Sequence, residues 1–173
     1  WPDDVDYEGK KVVVIGSGAT AATVVPAMAT KAAHITMLQR SPTFFRTGRN
    51  AIEMVEELRK LEVDESWIHE ITRRKILFEQ SAFTTMCFDE PEAVKDLLLG
   101  EVQKILGPDY DMDKHFTPSY RPWRQRIAFV PDADLFNAIA AGDASVVTDG
   151  IEHFTERGIQ LASGEELEAD VVV

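Results

Sequence analysis

The sequence predicts an α/β fold built on a parallel sheet, and three observations support that prediction. A short β-branched run over residues 12–15 ends in a glycine-rich turn, which is typical of a buried strand leading into a helix. An Ala/Thr/Val-rich segment and a second apolar run at 34–39 follow, so two strands flank one helix. Short apolar runs between turns over 151–173 predict a β-meander that returns to the sheet.

Composition excludes several classes of protein. The 173 residues are 45% hydrophobic and 28% charged, which is ordinary for one globular core. A net charge of −12 with no basic stripe argues against a nucleic-acid partner. No apolar run approaches the length of a membrane span, so we expect none.

The metal and redox chemistry available to the chain is limited. Its single cysteine, Cys87, excludes an internal disulfide and a cysteine-based zinc site, and it fits a reducing cytoplasm. The four histidines, at 34, 69, 115 and 153, have no paired spacing for a metal. We therefore predict no metal site and a cytoplasmic location.

The turn after the first strand reads Gly-Ser-Gly-Ala-Thr-Ala over residues 16–21, the Gly-x-Gly-x-x-Ala form of a dinucleotide-binding turn. Gly16 allows a tight exit from the strand, and Gly18 removes a side chain where backbone approaches a pyrophosphate. Ala21 is small enough for close packing of the helix on the strand. We predict a Rossmann-like dinucleotide-binding domain, with a purely structural glycine turn as the alternative.

The end of the second strand decides which dinucleotide is expected. Asp or Glu at this point favours NAD, but the chain has Gln39 followed by Arg40 and Ser41. A forked cation and a hydroxyl suit a 2′-phosphate, and a charge-assisted bond worth roughly 1.5 to 3 kcal/mol would favour NADP about ten- to a hundredfold. A solvated surface arginine is the alternative.

The middle of the chain has helical periodicity over about 50–106. Three helices are expected, the second starting near 64–66 and the third capped by Asp89 with Pro91 at an early position. We therefore divide the dinucleotide-binding domain into 1–43 and 115–173 around a helical insertion at 44–114. A further helix over about 133–141 is expected to be capped by Asp132.

Residues 115–126 form a basic, proline-stiffened loop in an otherwise acidic chain. Such a loop could place a cation near a reduced cofactor, where an oxyanion needs stabilising. The alternative is an ordinary loop whose arginines pair with surface acids.

These motifs resemble the NADPH-binding domain of class B flavoprotein monooxygenases, especially the Baeyer–Villiger branch. The resemblance lies in the glycine turn at 16–21, the segment 37–43, the run 115–136 and the closing segment 161–173. Trp1 and Pro2 look like the end of that branch's fingerprint motif. The match is loose within the helical insertion.

The resemblance implies that NADPH bound here reduces an FAD held by a separate domain of the same polypeptide. Oxygen then reacts with the reduced flavin, and a carbonyl of a small organic substrate is oxygenated. Arg126 matches the family's catalytic arginine, which also positions the nicotinamide, and Gln125 stands where a phosphate-binding lysine is common. The candidate cofactor-binding residues are Gly16, Ser17, Gly18, Ala19, Thr20, Arg40, Ser41 and Gln125.

The same resemblance makes the chain a fragment, because the FAD-binding turn would precede Trp1. We expect the isolated chain to bind NADP(H), to carry no stoichiometric FAD and to be inactive on substrate. Three alternatives stay open: a flavin-containing N- or S-monooxygenase, an NADP-dependent dehydrogenase, and a non-enzymatic nucleotide-sensing module. A dehydrogenase would need a local acid or base, and no Tyr-x-x-x-Lys arrangement is present.

Overall fold

A computed structural model describes residues 5–173 of the chain, so the Trp1–Pro2 motif lies outside the described residues. In chain order the elements are β1 (Lys11–Ile15), α1 (Ala19–Ala29), β2 (His34–Gln39), β3 (Phe45–Gly48), α2 (Glu53–Lys60), α3 (Glu65–Asp89), α4 (Pro91–Leu106), α5 (Met112–His115), β4 (Ala128–Pro131), α6 (Asp134–Ala141), β5 (Ala144–Thr148), β6 (Ile151–Phe154), β7 (Gly158–Leu161), β8 (Glu166–Glu168) and β9 (Val171–Val172).

The central sheet is parallel, with strand order β5-β2-β1-β9. The predicted strand–turn–helix–strand unit is confirmed as β1, α1 and β2. Strands β6, β7 and β8 form the predicted antiparallel meander, and the chain then returns to the sheet as β9 beside β1. The register pairs Gln39 of β2 with Thr148 of β5 at the carboxyl ends of both strands.

Alternate residues of β1 enter two different cores, because successive side chains of a strand point to opposite faces. Val12 and Val14 belong to a core with residues of α1 and α6. Val13 instead packs with Ile159 and Leu161 of the meander. The sheet therefore lies between a helical layer and the meander.

A third core joins the helical segment to the end of the β2–β3 loop. It consists of Phe44, Cys87, Val94 and Leu98, all fully or nearly fully buried. Burial raises the pKa of the Cys87 thiol above its ordinary value. Cys87 thus packs as a small apolar side chain.

Strand β3 was not expected from the sequence. It pairs in parallel with β4 as a separate two-stranded sheet, and Phe45 packs edge-on against Phe116 and Phe136. Arg46 and Gly48 give this stretch no strand-like pattern, so long-range packing of Phe45 decides its structure. The boundaries at 44 and 114 stay a prediction.

The start of the second helix of the insertion is confirmed, but both predicted helix caps, at Asp89 and Asp132, are wrong. Helix α3 begins where the sequence predicted it, and Asp64 caps it by accepting from the Ser66 backbone N–H at 2.9 Å. The Asp89 prediction is wrong, because α3 runs on through Asp89 and α4 starts directly at Pro91, its first residue.

The Asp132 prediction is also wrong. The N-cap of α6 is Ala133, with φ of 58°, and no side chain in the described part of the chain caps that helix. Backbone at Asp132 is left-handed too, and its carboxylate accepts from the Asn50 N–H at 3.1 Å. Asp132 therefore fixes the β3–α2 connection instead of the helix.

Residues 5–173 lack two kinds of feature. No helix there is long and apolar enough to cross a membrane. Within the same residues, no group of three or more His, Cys, Asp or Glu side chains could hold a metal ion.

Candidate functional site

A cavity of about 400 Å³ lies beyond the carboxyl ends of β1, β2 and β5. Its walls are residues 15–17 from the β1–α1 turn, 38–41 from the end of β2, and 149–151 from the β5–β6 turn. Open parallel sheets bind ligands in such crevices at the carboxyl ends of their strands. The cavity brings together four predicted binding residues, Gly16, Ser17, Arg40 and Ser41.

The glycine turn connects β1 to the amino end of α1. Gly16 has φ of 117°, a conformation that favours glycine, and its N–H donates to the Leu38 carbonyl oxygen at 2.7 Å. Gly18 is the N-cap of α1, with no side-chain cap and no acidic residue in the first helical turn. The positive end of this eleven-residue helix is therefore free to face an anion.

Gly16 has a backbone conformation that favours glycine, whereas Gly18 does not. Its φ of −80° is accessible to any residue, and a Cβ built on it meets no atom of residues 5–173 within 4 Å. Neither backbone conformation nor packing within the described chain requires glycine here. Close approach of a ligand to this backbone would require it.

The cation of the cavity is Arg40, which is exposed and follows directly after β2. Within residues 5–173 it forms no ion pair, and Ser41 beside it is also exposed. The Thr43 hydroxyl instead lies within hydrogen-bond distance of the Tyr120 hydroxyl, at 3.2 Å. Arg40 and Ser41 thus supply the polar groups at this end of the cavity.

Asp149 is a cavity residue that sequence reasoning missed. Its carboxylate accepts from the backbone N–H groups of Gly150 at 2.7 Å and Ser163 at 3.2 Å. Hydrogen bonds, first that of the Ser163 side chain, hold the pKa of Asp149 below its ordinary value. The Asp-Gly pair after a strand predicts a turn, but it gives no sign of the cavity.

Gln39 was recognised only as the residue before Arg40, yet it is 1% exposed. Its side-chain Nε2 donates to the His115 carbonyl oxygen at 2.6 Å and to Thr148 Oγ1 at 2.9 Å. His115 Nδ1 also lies 2.9 Å from Thr148 Oγ1. Burial lowers the pKa of His115, which favours the neutral imidazole.

The other predicted site residues lie outside the cavity walls, and these include Gly18, which is next to the wall residue Ser17 in the chain. Ala19 and Thr20 are exposed in the first turn of α1, and Gln125 and Arg126 are exposed in the loop before β4. In the same loop the guanidinium carbon Cζ of Arg121 lies 4.5 Å from the ring centre of Phe88 on α3. Binding or catalytic roles for these four polar and small residues stay predictions.

No protein-family model matches the chain. A protein of Mycobacterium tuberculosis described as putative FAD-containing monooxygenase MymA is 49% identical over 177 residues, covering all of this chain and 35% of that protein. The chain thus spans about a third of the length of the curated relatives it matches.

Two solved structures share the fold. An oxidised steroid monooxygenase bound to NADP superposes with a TM-score of 0.73 at 19% identity, covering 100% of this chain and 39% of that one. Cyclohexanone monooxygenase with bound ε-caprolactone gives a TM-score of 0.69 at 19% identity, covering 100% of this chain and 41% of that one. The predicted Rossmann-like α/β fold is confirmed.

Proposed function

Because this chain matches a segment of class B flavoprotein monooxygenases along its whole length, we propose that it binds NADP(H) in the cavity beyond β1, β2 and β5. The family resemblance drawn from the sequence motifs is confirmed by the FAD-containing relatives. NADP(H) binding by this chain is the proposal, and one observation supports it above the others.

That observation is the open space at Gly18. Glycine occurs there although neither its φ of −80° nor, among residues 5–173, any neighbour within 4 Å requires it. A pyrophosphate bound against the amino end of α1 would occupy this space and hydrogen-bond to the helix's first N–H groups. Gly16, Ser17, Ala19 and Thr20 would form the rest of this phosphate-binding turn.

Arg40 and Ser41 would hold the 2′-phosphate that distinguishes NADP from NAD. The guanidinium can form two parallel bonds to phosphate, and no carboxylate stands at the end of β2 to hold a ribose 2′-hydroxyl instead. Gln125 and Arg126 would face the phosphate and nicotinamide ends of the cofactor from the loop before β4. The support for those two residues is the motif alone.

Titration of the chain with NADPH and with NADH by calorimetry tests this proposal. We expect tighter NADPH binding by about ten- to a hundredfold, and we expect Arg40→Ala to remove that preference while leaving NADH binding nearly unchanged. Arg74→Ala on α3 is the matched control, because it removes the same charge from an exposed Arg74–Glu70 ion pair far along the chain. Failure to bind either dinucleotide would refute the proposal.

For the complete polypeptide we propose an FAD- and NADPH-dependent monooxygenase that oxygenates a carbonyl compound. FAD, held by a separate domain, would supply the oxygen-activating chemistry. One atom of O2 would enter beside the carbonyl carbon, the other would leave as water, and NADPH would supply the two electrons. One structural neighbour is a cyclohexanone monooxygenase with bound ε-caprolactone. Cyclohexanone and ε-caprolactone differ by one oxygen atom inserted beside the carbonyl carbon, and this pair supports the assignment.

The reaction type is tested by offering the complete polypeptide a cyclic ketone and a thioether under the same conditions. Lactone formation supports the Baeyer–Villiger assignment, whereas sulfoxide formation alone would assign an N- or S-oxygenating enzyme.

We also propose a cytoplasmic location, supported by the buried free thiol of Cys87. Cell fractionation checks that location directly.

A further inference from the structure

Three residues form a part-buried hydrogen-bonded cluster at the cavity end of the sheet, which we name the carboxyl-end tie: Gln39, His115 and Thr148. Its bonds join the last residue of β2, the last residue of β5 and the last residue of α5. These residues are separated by 76 and 33 positions in sequence, so only the folded chain brings them together. The tie therefore fixes three elements at one point.

The tie lies directly behind the charged groups of the cavity. Gln39 precedes Arg40, and Thr148 precedes Asp149, so one peptide bond separates each of these two tie residues from a charged residue of the cavity. The Asp149 N–H also donates to the Gln39 carbonyl oxygen at 2.9 Å. Neither Thr148 nor His115 lines the cavity itself.

The three side chains of the tie can form a donor-to-acceptor chain, from the Gln39 amide to the Thr148 hydroxyl and from that hydroxyl to the His115 imidazole. Thr148 Oγ1 accepts from Gln39 Nε2, which leaves the hydroxyl hydrogen free to donate to His115 Nδ1. This arrangement needs a neutral imidazole, and burial of His115 favours that form. Within residues 5–173 Gln39 Oε1 is buried with no partner, so the two Nε2 bonds alone orient the amide.

We infer that the carboxyl-end tie holds Arg40 in the position from which it selects NADPH over NADH, with Thr148 and His115 acting as positioning residues. The inference rests on the proposed NADP(H) function of the cavity. A two-point guanidinium–phosphate contact demands accurate placement, and it is therefore sensitive to a small displacement of the end of β2.

The chain offers a matched control on the same two strands. Ser145 of β5 pairs in register with Thr36 of β2, and its Oγ lies 3.1 Å from Thr36 Oγ1 and 2.8 Å from His34 Nε2. Like the tie, this second cluster joins a hydroxyl of β5 to a polar side chain of β2 and to an imidazole, although it contains no amide. It lies three residues back, about 10 Å from the cavity end of the sheet.

The experiment compares Thr148→Val, Thr148→Ser and Ser145→Ala with the wild-type chain. For each, the dissociation constants of NADPH and NADH are measured by calorimetry, and stability is measured by urea unfolding. We expect Thr148→Val to weaken NADPH binding about tenfold and NADH binding less than about threefold. Thr148→Ser, which keeps the hydroxyl, should restore the wild-type ratio, and Ser145→Ala should keep that ratio even where stability falls.

His115→Phe provides a second variant should Thr148→Val fail to fold, since it keeps the ring beside Tyr110 and removes Nδ1. The same fall in the NADPH-to-NADH ratio is expected from it. A wild-type preference that survives both variants within about twofold would overturn the inference and leave the proposed function standing. A wild-type chain with no preference would overturn the proposed function and this inference together.

Discussion

Two turns of this molecule depend on glycine for opposite reasons. Gly18, between β1 and α1, has an ordinary φ of −80°, and a Cβ built on it would meet no atom of the described residues within 4 Å. Gly158, the first residue of β7, has φ of 155°, and a Cβ there would overlap the Leu167 carbonyl oxygen and lie 2.8 Å from the Ala169 backbone nitrogen. The meander needs its glycine to fold, whereas the folded chain leaves Gly18 without a structural reason.

This contrast separates stability from binding. A residue required by packing should change unfolding when it is replaced, whatever ligand is present. Replacing a residue that packing does not require should leave the free energy of unfolding unchanged and alter only the binding of a ligand next to it. The two glycines therefore make a direct test of whether the cavity end of the sheet is a binding site.

The largest effect is expected for Gly158→Ala. The added methyl overlaps backbone atoms of β8, which cannot move away as a flexible side chain could, so we expect the free energy of unfolding to fall by roughly 4 kcal/mol. Urea unfolding measures this loss. A variant as stable as the wild-type chain would show that the meander can adjust, and the contrast between the two glycines would then disappear.

Gly18→Ala should have the next largest effect, on binding alone. We expect NADPH affinity to fall about ten- to a hundredfold, because the methyl enters the space proposed for the pyrophosphate, while stability changes by less than about 1 kcal/mol. Calorimetry and urea unfolding on the same sample measure the two quantities.

Gly100→Ala is the matched control for Gly18→Ala. Gly100 lies inside α4, also with no atom within 4 Å of an added Cβ. Alanine there should stabilise the chain by roughly 0.5 to 1 kcal/mol and leave NADPH binding unchanged. Unchanged NADPH binding by Gly18→Ala would mean that the glycine turn holds no pyrophosphate.

The contrast also explains how far the sequence could predict the molecule. The glycine turn, the strands around it and the meander are local patterns, and the structure confirms them. The spacing of Gly16 and Gly18 indicated a dinucleotide-binding site because all the residues of such a phosphate-binding turn lie within six consecutive positions. Arg40 was found for the same reason, since it follows directly on a recognisable strand.

Residues whose roles come from distant partners were missed. Gln39 was noted only for its place beside Arg40, because His115 and Thr148 meet it through the fold. Strand β3 has only four residues, and its pairing with β4 comes from residues more than 80 positions later. Asp132 has the chemistry of a helix cap, but a left-handed backbone turns its carboxylate toward Asn50 instead.

The smallest effect concerns Asp149, whose carboxylate joins the cavity edge to the meander through Ser163. Hydrogen bonds lower its pKa in the folded chain, so its contribution to stability is fully present above the unfolded pKa and is lost as pH falls through the folded value. Asp149→Asn should therefore lower the urea midpoint near neutral pH, and the difference from wild type should shrink from about pH 4 downward. Urea unfolding at several pH values measures it. Because this link is exposed to solvent, its loss should be much smaller than that of Gly158→Ala, and an equally large loss would show that the cavity edge contributes to stability as strongly as the packing at Gly158.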